Sequence, residues 1–265
     1  MIVLANLFAI AGKELGGYFA SPFAYVAAAI FWLMAGQFLD TMLLGPQGVI
    51  QSLAEIERQG ATLPPIDAAY EFIRLYLSAI GSLVLFVTPI LSMGLFTEER
   101  KRGTLELLAT SPLSNWVVAA GKLLGVTIFF GAMTLPLLGY EAIALGAADP
   151  PVEPAIPLLA HGGLLLLAAA MLSLGMFVSS LTDSTLLAAI GSFALAILLW
   201  TLDLVGDRFG GSLGEVLAHL SLLGHYNLLV QGTLDTGSLV LFASYILLGI
   251  FLTALSVETS RFVRR

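Results

Sequence analysis

Leu75-Tyr-Leu-Ser-Ala-Ile-Gly-Ser-Leu-Val-Leu-Phe-Val-Thr-Pro-Ile-Leu-Ser-Met-Gly-Leu-Phe96 runs directly into Thr97-Glu-Glu-Arg-Lys-Arg-Gly-Thr-Leu-Glu-Leu-Leu-Ala-Thr-Ser-Pro-Leu113. The first stretch carries no charge and is long enough to cross a bilayer as a helix, which takes about 20 apolar residues. The second holds the only dense charge cluster of the chain, and a further apolar run opens at Asn115. Charge concentrated between two such runs must sit in water at one membrane face.

Composition agrees. Hydrophobic residues make up 58% of the chain and charged residues only 11%, against about 25% charged in soluble domains. Mean hydropathy is +0.96. A soluble fold could not cover that much apolar surface, so lipid is the solvent for most of it. The sequence has no cysteine, which excludes disulfides, thiolate metal sites and cysteine nucleophiles. Its net charge of −7 argues against nucleic acid as a partner.

Six runs have the length and composition of spans: Pro22–Leu44, Leu75–Phe96, Asn115–Ala142, Ile156–Leu181, Thr185–Val205 and Ser238–Val257. Backbone groups in lipid must be satisfied within the segment, so runs this apolar read as helices. Short alternating segments of a β-barrel are not seen. The expectation is an all-α polytopic membrane protein with six transmembrane helices. Pro89 and Pro136 fall inside spans, where they disturb the hydrogen-bond ladder.

Orientation follows from the basic residues. With six spans both termini share a side, which carries Lys13, Arg100, Lys101, Arg102, Lys122, Arg261, Arg264 and Arg265. The other side has Arg58, Arg74 and Arg208. The imbalance predicts cytoplasmic termini, a cytoplasmic 97–114 loop, and an acidic outer face that accounts for the negative charge.

Residues 1–20 fit a signal peptide poorly, because Lys13-Glu14 follows the apolar positions instead of preceding them. A helix lying along the cytoplasmic leaflet fits better. Ser21-Pro22 then reads as an N-cap and first-turn proline opening span one. In the 97–114 loop Gly103 breaks the helix leaving span two, Thr104 can cap a short helix over Leu105–Ala109, and Ser111-Pro112 ends it. Glu106 would occupy that helix's first turn, where its dipole favours an anion. On physics alone a docking helix and a basic loop that merely sets topology remain equally open.

Several blocks carry a resemblance. They are Lys13-Glu14-Leu15, Tyr18-Phe19 and Ser21-Pro22; Glu98-Glu99-Arg100-Lys101-Arg102-Gly103-Thr104-Leu105-Glu106-Leu107-Leu108 with Ser111-Pro112-Leu113 and Lys122; Ser179-Ser180-Leu181-Thr182; and Leu220-Ser221, His225-Tyr226, Leu229, Gly232 and Asp235. In order and spacing the chain resembles an ABC-2 type transporter permease, closest to the gliding-motility and multicopper-enzyme-maturation branch. The resemblance implies a type V ABC exporter-like fold in which residues 1–20 form an elbow helix. It implies that Glu99, Arg100, Gly103, Thr104, Leu105, Glu106, Leu107 and Leu108 contact a separate ATP-binding subunit, with Asp183 in a second, smaller contact. A second permease copy or related permease, ATP and Mg in the partner alone, and a bacterial inner (plasma) membrane location are further implications. This sequence contains no G-x-x-x-x-G-K-[ST] run, so no P-loop and no catalytic residue is expected here.

Segment 206–237 shows Leu213, Val216, Leu217, Leu220 and Leu223 at three- and four-residue steps, one apolar face. The resemblance implies short helices re-entering the outer leaflet; a surface connector is the simpler reading. Glu141, Asp203 and Asp207 could line a polar pathway or only mark the membrane boundary. His161, His219 and His225 have no metal-ligand spacing and no carboxylate close in sequence, which favours packing and hydrogen bonding. Gly121 and Gly125 form a small-xxx-small pair of the kind that lets helices approach. The loop Gly45–Asp67 offers no usable motif. An ion-coupled carrier would need charge at mid-membrane depth, and a membrane enzyme a nucleophile–base pair; neither is evident. An ATPase-driven relay to an outer partner, without translocation, stays open.

Overall fold

The computed structural model describes residues 2–59, 68–104, 114–146, 153–206 and 211–262. Among these residues every regular element is a helix, and we number them in chain order. The chain begins with α1 (Ile2–Ala20), α2 (Pro22–Leu43) and α3 (Val49–Arg58). The second run becomes α4 (Ala68–Ser92) and α5 (Gly94–Lys101), followed by α6 (Asn115–Leu145) and α7 (Ala155–Leu181). The remainder is α8 (Thr185–Gly206), α9 (Ser212–His219), α10 (Leu222–Val230) and α11 (Thr236–Phe262). The protein is an all-α polytopic membrane protein.

Span limits differ from the sequence expectation mainly at α4, which starts seven residues before Leu75 and continues through α5 to Lys101. The charges of Glu98–Lys101 therefore lie on a helical extension of span two, and the chain turns only at Gly103, whose φ of 68° suits a residue without Cβ. Ser21 holds the N-cap position with Pro22 after it, yet its hydroxyl makes no capping bond. Helix α3 lies in the loop for which no motif was found; Val49, Leu53 and Ile56 recur on one face, and α3 packs on α4.

Among the described residues seven helices are long and apolar enough to cross a membrane, α1 among them. The contacts of α1 separate it from the other six. Leu7 and Ile10 meet Gly121, Ala11 and Glu14 meet Gly125, and Phe129 is stacked by Tyr18 and met edge-on by Phe19. That track covers only about 12 Å of the α6 axis at 1.5 Å per residue. Lys13 and Glu14 are held beside Glu99 and Lys122 at the basic side. An ion-paired charge pair fixed at one face keeps α1 in that half of the molecule.

Helix α7 is the central post. It packs on α4, α6, α8, α10 and α11, and its glycines set the spacing. A Cβ at Gly175 would stand 2.8 Å from Ser92 Cβ, and one at Gly163 2.8 Å from Leu229 Cδ1. On α4, Gly81 receives the ring of Tyr226, whose hydroxyl donates to the Leu77 carbonyl at 2.8 Å. Tyr226 is fully buried, so α10 is wedged between α4 and α7. Apolar residues of α2, α8 and α11 such as Leu33, Leu187 and Val240 face outward, as lipid-facing positions must.

Gly125→Leu is expected to destabilise the protein by about 1–3 kcal/mol through overpacking against α1. Gly139→Ala, where an added Cβ meets nothing within 4 Å, should be neutral. Thermal unfolding in detergent distinguishes the two.

Candidate functional site

The charge cluster of span two meets α1 and α6 through one buried cation. Lys122 on α6 is 3% exposed. Its Nζ donates to the Leu95 carbonyl at 2.7 Å and to Glu14 Oε2 at 3.0 Å, and lies 3.0 Å from Glu99 Oε1. The three hydrogens of the ammonium thus have three acceptors. The Phe96 ring adds a face 5.2 Å from Nζ, within cation–π reach. Exposed Lys13 approaches Glu99 Oε1 at 3.2 Å. Two cations and two carboxylates from α1, α5 and α6 close one neutral network.

Sequence decides this placement locally. Gly121 and Gly125 flank Lys122 and let α1 come within contact of the α6 backbone, which brings Glu14 to the ammonium. On α5, Leu95 and Glu99 lie one turn apart, so a carbonyl and a carboxylate face α6 together. Tyr18 adds a third tie, donating its hydroxyl to the Leu91 carbonyl.

A second anchor fixes α5 from the other side. The ladder breaks at Met93, between α4 and α5, freeing backbone groups that need partners. Ser179 of α7 supplies them. Its Oγ accepts from the Phe96 and Thr97 amides at 3.0 and 3.2 Å and donates to the Met93 carbonyl at 3.0 Å. Thr97 Oγ1 also meets Thr185 Oγ1 at 3.4 Å, at the start of α8. Between α7 and α8 the turn is closed by the Ser184 amide donating to Thr182 Oγ1 at 3.1 Å, leaving Asp183 exposed. Helix α5 is therefore clamped to α1 and α6 on one side and to α7 and α8 on the other.

Of the residues expected at a partner contact, Glu99 is turned inward and 12% exposed. Arg100 is half-buried and Gly103 exposed. Thr104 folds back, its amide and hydroxyl both donating to the Glu99 carbonyl at 3.0 and 3.3 Å. Leu105, Glu106, Leu107 and Leu108 lie outside the described residues, as does Asp207, and so does the side chain of Asp203. A cavity of about 880 Å³ opens between α1, the start of α2 and α4–α5, and Lys13, Ser21, Glu98, Arg102, Thr104 and Lys122 are on its wall. It leads to the point where the chain enters 105–113.

At the acidic end Glu141 faces His161, its Oε1 3.7 Å from Nε2. His161 thus has a carboxylate neighbour that its sequence surroundings do not show. His225 is held at both ring nitrogens, Nδ1 to Ser238 Oγ at 2.8 Å and Nε2–H to the His219 carbonyl at 3.1 Å.

A family profile described as an ABC-2 family transporter protein matches residues 47–202, which is more than half of the chain. The chain belongs to the ABC-2 transporter family. The match runs from the residues before α3 into α8 and so includes α5, Lys122 and Ser179, while Glu14 lies before it. No curated protein matches the chain. As an ABC-2 transporter protein it is the membrane-spanning component, which is not itself catalytic, of a system that in general has an ATP-binding partner.

Lys122→Met removes the shared cation and leaves Glu14 and Glu99 facing one another in a mostly buried site. Loss of one partner of a buried pair costs about 3–5 kcal/mol. Thermal unfolding in detergent should show that loss, and the triple variant Lys122→Met, Glu14→Gln, Glu99→Gln should regain most of it.

Proposed function

We propose that this chain is the permease subunit of an ABC transporter, and that α5 carries movement of a separate ATPase subunit into the membrane helices. The observation that carries this reading is the double clamp on α5: Lys122 and Glu14 on one side, Ser179 and Thr185 on the other. A segment so held cannot shift without taking α1, α6 and α7 with it.

In this reading residues 97–114 face the cytoplasm, as the Lys and Arg distribution favours. Gly103 turns the chain into a coupling helix over Leu105–Ala109, whose Leu105, Leu107 and Leu108 seat on the ATPase. Glu106, Arg100 and exposed Asp183 frame that contact with charge, which orients a docking surface more than it strengthens it. Glu99 acts from inside, as the link between the docking segment and Lys122. ATP and Mg are bound and used in the partner alone. Two permease subunits, identical or related, would flank the substrate path, and α9–α10 would roof it on the outer side.

Rocking of the two halves would then export a substrate or extract it from the membrane. The Glu98–Leu108 block supports a place near the gliding-motility and multicopper-enzyme-maturation permeases, in a bacterial inner membrane.

Solubilisation of the chain from its native membrane in mild detergent should bring down a soluble P-loop ATPase in near-equal amount. Replacement of Leu105, Leu107 and Leu108 by Ser should release the ATPase while the permease still inserts, and Glu106→Lys should weaken the complex. Recovery of a folded chain with no ATPase would overturn the permease reading. An ATPase that stays bound to the Ser variant would move the docking surface elsewhere.

A further inference from the structure

Among the described residues Glu141 and His161 carry buried polar atoms without hydrogen-bond partners, and they take no part in the α5 clamp. Glu141 is 2% exposed and His161 7%. Neither carboxyl oxygen of Glu141 has a hydrogen-bond partner, nor does His161 Nε2. The other ring nitrogen is committed: Nδ1 lies 3.0 Å from the Pro157 carbonyl, which can only accept, so Nδ1 carries a hydrogen. A neutral ring of that tautomer turns a bare lone pair from Nε2 towards Glu141 Oε1, 3.7 Å away. Two bare acceptors facing each other away from water are unfavourable. A single hydrogen between them, on either atom, removes the conflict.

We propose that Glu141 and His161 form a buried site that binds one proton between α6 and α7. With the proton in place the pair is either a carboxylic acid donating to imidazole or an imidazolium donating to carboxylate. Both leave the site without net charge, which a lipid-embedded interior favours. Release of the proton, to the acidic side, leaves one uncompensated carboxylate.

The surroundings support this choice. On α4 the Tyr76 hydroxyl is fully buried without a hydrogen-bond partner, and it lies within electrostatic reach of Glu141. On α10 Tyr226 is also within that reach, but its hydroxyl is taken by the Leu77 carbonyl. Tyr140, next along α6, is partly exposed. Asp40 of α2 is exposed, and Asp235, just before α11, accepts from the Ser238 amide at 3.2 Å. Helix α1 meets α6 only at the opposite end. Among the described residues no Lys or Arg pairs with Glu141; the basic group within 4.0 Å of it is His161.

Position gives the proton a consequence. His161 precedes by two residues Gly163, which packs on Leu229 and Tyr226 of α10. The proton therefore joins α6 to α7 directly beneath the wedge that holds α10 in place, and its loss would loosen that wedge.

The test is nitrogen NMR of the histidine-labelled full chain in lipid nanodiscs, with infrared spectroscopy of the same samples. His161 is assigned by the signal missing in His161→Gln. Its Nε2 resonance should move in one single-proton step as pH is varied, and the step should vanish in Glu141→Gln, whose amide donates to Nε2 at every pH. Infrared spectra of the unmutated chain should show a carboxyl or imidazolium band changing in that same step, a readout that needs no variant to fold. A His161 step that persists in Glu141→Gln, or no step at all, would overturn the proposal. A shift driven by sodium at fixed pH would replace the proton with a metal cation and likewise overturn it.

Discussion

The ammonium of Lys122, enclosed by Glu14, Glu99 and the Leu95 carbonyl, is the contact on which the basic half of the molecule depends. Removing a charge from water costs several kcal/mol unless its partners are close and complete. Here they come from α1 and α5 to a cation on α6, so the cost is offset only while all three helices keep their places. An apolar contact could slide; this one has to remain assembled or break. A movement entering through the segment after α5 thus has little freedom to be absorbed locally.

Glycine makes such contacts possible in a molecule with no water-driven force between its helices. In lipid, helix association rests on close packing and polar ties. Gly121 and Gly125 admit α1 beside Lys122, Gly81 and Gly163 admit the side and ring of α10, and Gly175 admits Ser92 at the α4–α5 break. In each place a small residue stands beside a hydrogen-bonded polar group. The same arrangement recurs at the acidic end, where Gly163 lies near Glu141 and His161, and there the polar groups are unsatisfied. The two ends differ in this respect: at one a shared ammonium ties two carboxylates, at the other a carboxylate and an imidazole face each other with no such cation.

Much of the fold was legible because long apolar runs in lipid have only one regular solution. Five span starts fall within two residues of the sequence reading, and the exception, α4, begins with Ala68, Tyr70 and Glu71, whose mixed character hides the helix. Helix α3 was missed because it is short and amphipathic beside a Gly- and Pro-rich loop. The site was only half legible. Glu99 was found through its charged neighbours, yet its inward direction is tertiary. Lys122 looked like one more topology-setting cation, and nothing near it in sequence points to Glu14, 108 residues away. Ser179 appeared only as part of a resembling block; its role depends on the ladder break at Met93, which no pattern in that run marks. Glu141 and His161 are likewise joined by packing, not by spacing.

The central claim is that α5, α1 and α6 move as one body when the ATPase acts. The chain has no cysteine, so pairs of spin labels can be placed without prior substitutions. Labels at exposed Leu4 on α1 and exposed Lys101 on α5 report the clamp; labels at Lys101 and exposed Leu234, before α11, report the rest of the molecule. With the copurified ATPase in lipid nanodiscs, adding ATP should leave the Leu4–Lys101 distance unchanged and alter the Lys101–Leu234 distance. A Leu4–Lys101 distance that changes with ATP while the other stays fixed would contradict the account.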